Sequence, residues 1–158
     1  MSEDAELQIL RAAQTTLAGI SKQVSKGVDL GRSVPIGEPT DLPRLFLAYG
    51  EDDIVEDGLS SSDNQMELIV GALVRDLDEY GIVQMAALRS AVHAAFMADR
   101  TLGLPEIVID IAPLGAARPQ RLEADRASMP PVFREFSFQI RYRTNAGDRT
   151  QGGTGAPT

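Results

Sequence analysis

The sequence has no cysteine and no tryptophan, a single histidine, and only two lysines among its fifteen basic residues. Without cysteine there is no disulfide, no thiolate nucleophile and no cysteine-held zinc or iron–sulfur centre. With His93 alone, any metal site would have to be built mostly from carboxylates. Aromatic residues make up 5% of the chain, so its core has to be largely aliphatic. No run approaches the roughly 20 apolar residues of a membrane helix. The opening Met1-Ser2-Glu3-Asp4 is acidic where a secretory signal is basic and then apolar. The expectation is a chain that neither spans a membrane nor carries the usual export signal.

What is present is 158 residues, 43% hydrophobic and 24% charged, the composition and length of one folded domain. The net charge of −8 is unevenly spread. Residues 31–64 carry −6, residues 65–113 carry −4, and residues 114–158 carry +3. An acidic middle therefore meets a basic end. The overall acidity argues against nonspecific nucleic-acid binding, which needs clustered Lys and Arg to displace counterions from phosphates.

Apolar periodicity divides the chain. Leu10, Ala13, Leu17, Ile20 and Val24 recur at steps of three and four, which predicts a helix from Ala5 to Lys26, capped by Ser2 and stopped by Gly27. Residues 28–43, with Pro35, Pro39 and Pro43, read as a loop. The apolar run 44–49 is a short strand closed by Gly50, and residues 51–64 are a connection with room for a small strand around Ile54. Met66, Leu68, Val70, Ala72 and Val74 mark a second strand by their period of two. A second helix, capped by Asp76 or Asp78 and running to about Arg100, carries Ile82, Met85, Leu88, Val92 and Phe96 on one face. A third strand covers 106–111 and is stopped by Pro113; residues 114–131 form a long loop; and Phe136, Phe138, Ile140 and Tyr142 define the last strand. Residues 1–144 are thus one α+β domain of order α-β-β-α-β-β. Its two helices pack on one face of a roughly four-stranded, mainly antiparallel sheet, and residues 145–158 are a flexible polar tail.

Little of this carries chemistry. His93 sits inside the second helix among Ala91, Val92, Ala94 and Ala95, with no Gly-x-Ser-x-Gly turn anywhere, so it reads as a helix-surface or subunit-contact residue. The Gly152-Gly153-Thr154-Gly155 run lacks the lysine and the flanking strand and helix of a phosphate loop. Glu51, Asp52, Asp53, Glu56 and Asp57 put five carboxylates in seven residues, yet the alternate spacing, central Gly and closing Glu of a calcium loop are missing. Met66, Met85 and Met97 fall on apolar faces as core filler. No metal, no cofactor and no enzyme activity is expected. The arginines at 118, 121, 126, 134, 141 and 143 are the one basic concentration. They either pair with the acidic middle of another copy in a head-to-tail contact or neighbour it within the same subunit.

One resemblance draws these features together. The Pro-rich loop running into Leu42-Pro-Arg-Leu-Phe-Leu-Ala-Tyr-Gly50, the acidic 51–57 segment, the helix exit Ala98-Asp-Arg-Thr-Leu-Gly103 and the closing strand Phe136-Ser-Phe-Gln-Ile-Arg-Tyr-Arg-Thr144 resemble the tail terminator, or tail completion, proteins of long-tailed bacteriophages. The likeness covers about residues 5–144 and departs in the long 114–131 loop and the polar tail. It implies a structural virion protein, made in the host cytoplasm. Such a protein forms a homo-oligomeric ring, a hexamer, at the head-proximal end of the tail tube, ends tube polymerisation and joins tail to head. The implied partners are further copies of itself, the major tail tube protein and the head-completion or connector protein, with genomic DNA passing through the lumen unbound and no membrane. The family has no catalytic residues. Charge segregation then nominates Asp52, Asp53, Glu56 and Asp57, with Arg118, Arg121 and Arg126, for a subunit interface or the lumen. Two alternatives remain: a head-tail connector or neck protein, and a permuted ferredoxin-like module that binds a small ligand or regulates.

Overall fold

The period-two pattern of the last strand extends well beyond the four residues that announce it, and the long strand it forms organises the rest of the sheet. The computed structural model describes residues 4–22, 24–31, 42–58, 60–75, 79–121, 131–145 and 148–152. Along the chain lie α1 (Ala5–Ala18), β1 (Val28–Leu30), β2 (Arg44–Asp57), β3 (Ser61–Arg75), α2 (Glu79–Ala98), β4 (Val108–Ala116), β5 (Gln120–Arg121), β6 (Pro131–Asn145) and β7 (Asp148–Gly152). The expected roughly four-stranded sheet is corrected by this count. One seven-stranded sheet runs β1-β2-β3-β6-β4, with β5 and β7 also on β6, and the β1–β2 pair is parallel. The chain is still α+β.

β3 is paired along its whole length on β6, from Ser61 opposite Asn145 to Arg75 opposite Pro131. This long ladder explains why the acidic segment, expected as a connection, is strand. The first residues of β3 need a partner on their other edge, and β2 supplies it by continuing through Asp52 opposite Met66, Asp53 opposite Gln65 and Ile54 opposite Asn64. Bulges between Tyr49 and Asp52 and between Ile54 and Glu56 absorb the register change. β4 likewise runs past Pro113, the residue expected to stop it, and pairs only with β6 among the described strands. An edge strand tolerates a missing N–H. The loop expected over 114–131 accordingly shrinks, since β4 ends at Ala116 and β5 and β6 claim more of it; residues 122–130 lie outside the described residues. Of the expected tail, Asp148–Gly152 forms β7 against the end of β6. Residues 146, 147 and 153–158 lie outside the described residues.

α1 is shorter than its apolar stripe suggests. Asp4, not Ser2, supplies the cap by accepting the Glu6 N–H at 2.9 Å. At the other end Thr15 and Thr16 turn their hydroxyls back to the Arg11 and Ala12 carbonyls, and Gly19 closes the helix. Ile20 and Val24 still pack against the core from the turns that follow. The caps expected for α2 at Asp76 or Asp78 fall outside the described residues. Its stretch Gly81–Ala98 is long and apolar enough by composition to cross a membrane, but Met85, Leu88, Val92 and Phe96 are buried in the domain.

Both helices cover one face of the sheet. Ile9, Leu10 and Leu17 of α1 and the four buried α2 residues meet Leu45 and Leu47 of β2, Met66 to Val74 of β3 at alternate positions, and Phe136, Phe138, Ile140 and Tyr142 of β6. Phe96 and Phe138 pack edge to face with ring centres 4.9 Å apart. The four long strands in the order β2-β3-β6-β4 place β6 between β3 and β4, which α2 connects, a split β-α-β unit. This is the strand order of a circularly permuted ferredoxin-like core, an arrangement that hosts many functions and identifies none.

Candidate functional site

The extension of β2 and β3 carries the acidic residues out along a hairpin. Pairing places Asp52 and Ile54 on the helix-covered face and Asp53 on the other. Asp53, Glu51, Ile54 and Val55 are exposed, and Glu51 and Asp53 form no ion pair among the described residues. Glu56 and Asp57 take the last positions of β2, opposite Asp63 and Ser62, with their side chains outside the described residues. Asp52 and Asp53 are therefore split between two faces of one strand.

Asp52 does not point into open solvent. The Tyr142 hydroxyl donates to its carboxylate at 2.5 Å, and the Arg149 guanidinium lies 2.9 Å from that hydroxyl, 3.1 Å from Asp4 and 3.6 Å from both Asp52 and Glu6. Three carboxylates, from the α1 cap, α1 and β2, thus surround one guanidinium from β7, beside an open cavity of about 500 Å³. Asn64, 1% exposed, also lines this cavity. Its amide N–H groups reach Ser62 and Thr144, while its carbonyl oxygen is buried without a partner. A hydrogen bond with Asp52, burial, and the negative charge of Asp52 and Asp4 push the Glu6 carboxyl up to about 7, against the opposing pull of Arg149. Burial and the bond to Asp52 likewise hold the Tyr142 phenol above its usual range.

The Glu6 shift has a direct consequence for stability. Between the ordinary carboxylate range and pH 7 the unfolded chain has lost the Glu6 proton and the folded chain keeps it. The associated stabilisation is complete at pH 4 and is lost as pH rises through 7. Glu6→Gln, which cannot ionise, is expected to unfold like the wild type at pH 4. At pH 8 it should be more stable by about 1–2 kcal/mol, less than the full shift implies because the carboxyl is partly solvated. Urea unfolding at the two pH values measures this, and an equal gain at both would show that the carboxyl is not the cause.

Of the six concentrated arginines, Arg141 and Arg143 lie at the acidic end, Arg141 exposed opposite Gln65 and Arg143 donating to Asp63 at 2.6 Å, while Arg118 and Arg134 lie toward the other end of the sheet. β5 pairs with β6 at Phe133 and Val132, whereas the acidic hairpin reaches β6, through β3, from Ile140 at Asp52 and Arg141 at Asp53 to Thr144 at Asp57. Between Val132 and Tyr142 are ten residues of strand, roughly 34 Å at 3.4 Å per residue. Arg118 is exposed between β4 and β5; Arg121 takes a β5 position with its side chain outside the described residues; Arg126 lies outside them altogether. Arg134, one of the six concentrated arginines, and Arg89, which sequence reasoning did not single out, complete this end. Arg89 of α2 and Arg134 of β6 both lie over the Phe136 ring, at 5.9 and 6.0 Å, and Arg134 donates to the Ala117 carbonyl at 2.8 Å. Neither these two nor Arg118 forms an ion pair among the described residues. Among the described side chains, Asp52 and Asp53 are not brought together with Arg118, whereas Arg143 of the basic concentration does pair with Asp63 of the acidic middle within one chain.

Glu6, Tyr142 and Arg149 were not legible as a cluster. Tyr142 announces itself only as a core residue, Glu6 as a helix-dipole charge, and Arg149 falls in a stretch with no apolar pattern. Among the described residues no group of three His, Asp or Glu side chains is placed to hold a metal ion. His93 is exposed on α2.

No protein-family model matches the chain, and no curated protein does. Among solved structures it is similar to a chain of the virion of a native gene transfer agent particle, at 17% identity and a TM-score of 0.46, covering 89% of this chain and 92% of that one.

Proposed function

We propose that this chain is a structural virion protein that forms a ring at the head-proximal end of a phage-type tail tube, ends tube polymerisation and joins tail to head. The observation that carries this reading is the separation of unpaired charge. Among the described residues, Glu51 and Asp53 form no ion pair toward one end of the sheet, where Arg141 is also exposed, and Arg89, Arg118 and Arg134 form none toward the other. Opposite patches at opposite ends favour head-to-tail contacts, which close into a ring when the rotation allows. The resemblance of residues 5–144 to tail terminators supplies the place of that ring. Its partners are then further copies, in a hexamer, together with the tube protein and a head-completion protein, and the role needs no catalysis or cofactor. Carboxylates left facing the lumen would repel DNA phosphates and let the genome pass without sticking.

Deleting the gene in the strain that makes the particle tests the role in place. Overlong tails unattached to filled heads are the expected phenotype. Tails of normal length joined to heads would contradict it, and normal-length tails without heads would favour a connector.

A further inference from the structure

The cavity beside Arg149 holds more acceptors than donors. Asp4, Glu6, Asp52 and Asn64 line it, and Arg149 is the one cation among the described residues that do. Asn64 supplies what the carboxylates alone would not. It shares a sheet face with Ile54 and Tyr142, its neighbours on β2 and β6, and its amide donates to the Ser62 carbonyl at 3.0 Å and to the Thr144 hydroxyl at 3.3 Å. The Ser62 carbonyl can only accept, so the amide cannot turn over, and the atom left buried without a partner is the Asn64 carbonyl oxygen. A buried acceptor is costly unless something donates to it, and beneath an open cavity the donor can enter from outside. Glu6 is short of positive charge in the same way. A hydrogen bond with Asp52, burial and the charge of Asp52 and Asp4 outweigh Arg149, so its carboxyl keeps a proton up to about pH 7.

We infer that this cavity binds a primary alkylammonium group, its N–H donors shared among the Asn64 carbonyl, Asp52 and Glu6, and its carbon chain lying along Leu7, Tyr49 and Ile54. An ammonium carries three donors and no acceptor, the complement of two carboxylates and a carbonyl. Tyr49 and Ile54, half or more exposed at the mouth, offer aromatic and apolar surface to a methylene stem and cation–π attraction to its head. Among the described residues no three acidic or histidine side chains are placed to hold a metal ion, which favours an organic cation. The chain's own lysines, Lys22 and Lys26, follow the far end of α1, roughly 20 Å from its capped end at 1.5 Å per residue. The group therefore comes from a free amine or from a lysine of a partner.

Titrating the isotope-labelled chain with n-butylammonium chloride at constant ionic strength should shift the Asn64 side-chain amide resonances at millimolar concentration. Butyltrimethylammonium has the same charge and no N–H, and should bind at least tenfold more weakly. Glu6 must lose its proton to accept from the ligand, and the charged and titratable groups around it are Asp4, Asp52, Tyr142 and Arg149. Affinity should therefore rise about tenfold from pH 6 to pH 8, as a proton held up to about 7 ceases to compete. Asp52→Asn should weaken binding about tenfold, and Tyr49→Ala, at a half-exposed position that spares the core, about threefold. The site is overturned if the trimethylated analogue binds as well, if magnesium chloride binds more tightly, or if affinity ignores pH and both variants. Of spermidine and Nα-acetyl-lysine methylamide, the tighter binder assigns the source, a free polyamine or a partner's lysine, and failure of both overturns the proposal.

Discussion

Changing Glu51 and Asp53 together to lysine should abolish head-to-tail association, and so should changing Arg89 and Arg118 together to glutamate. A one-to-one mixture of the two variants should restore it. Each variant carries the same charge sign at the exchanged and the unchanged contact positions, so a head-to-tail contact through them sets like against like, which costs several kcal/mol per contact. With a factor of ten in association for each 1.4 kcal/mol, a loss of a hundredfold or more follows. In the mixture, the lysine end of one variant meets the glutamate end of the other, and the original acidic and basic ends meet likewise, so rings of even subunit number can close. These four residues are exposed and form no ion pair among the described residues, so folding should be unaffected, as a thermal melt would show. Raising salt should weaken association of the wild type in the same sense, because exposed charges are screened. Analytical ultracentrifugation of the two variants and their mixture reads all of this. Association that survives either reversal would contradict the electrostatic account.

The second large effect concerns the core. Phe138→Ala removes a buried ring from the middle of β6, where it packs edge to face on Phe96 and joins the sheet to α2. Substitutions of this kind cost about 3–5 kcal/mol, because the neighbouring side chains relax only partly into the space left behind. Against a typical total of about 5–15 kcal/mol, that is a large share of the domain's stability. Phe133 lies on the same strand but is only partly buried, and its pairing with Leu73 puts it on the face away from the helices. Phe133→Ala should cost clearly less. Urea midpoints for the two variants separate the layers. Equal losses would mean that the helix-covered face is not the dominant core.

The apolar pattern foretold the elements whose side chains decide their structure. Phe136, Phe138, Ile140 and Tyr142 are buried on one face of β6, and Met66, Leu68, Val70, Ala72 and Val74 on the same face of β3. The α2 stripe of Met85, Leu88, Val92 and Phe96 is buried as its spacing requires, whereas Ile82, placed on the same stripe, is exposed. Hydrophobic periodicity did not reach the segments whose conformation is set by a partner's backbone. Residues 51–57 are too acidic to read as strand, yet β3 needs an edge partner there; β7 contains no large apolar residue and is held by pairing with β6 and by Arg149. Ladder hydrogen bonds and an ion-pair cluster leave no mark in a scan for alternating apolar residues.

The same reason limited the reading of the site. Segregated charge was visible in the sequence, but its geometry depends on register. Asp52 turned inward to Tyr142 and Arg149 because it pairs with Met66, while its neighbour Asp53 faces away. Among the described side chains of residues 51–57, Glu51 and Asp53 form no ion pair, and Arg89, which the sequence did not nominate, lies over the Phe136 ring beside Arg134.

The most direct test is negative-stain imaging of tubes polymerised from the neighbouring tail tube protein with and without this chain, scoring tube length and end density. A ring-forming terminator predicts short tubes with one capped end, and the Glu51→Lys/Asp53→Lys variant should leave them long and uncapped. Tubes of unchanged length with no density at either end in the presence of the wild-type chain would contradict the account.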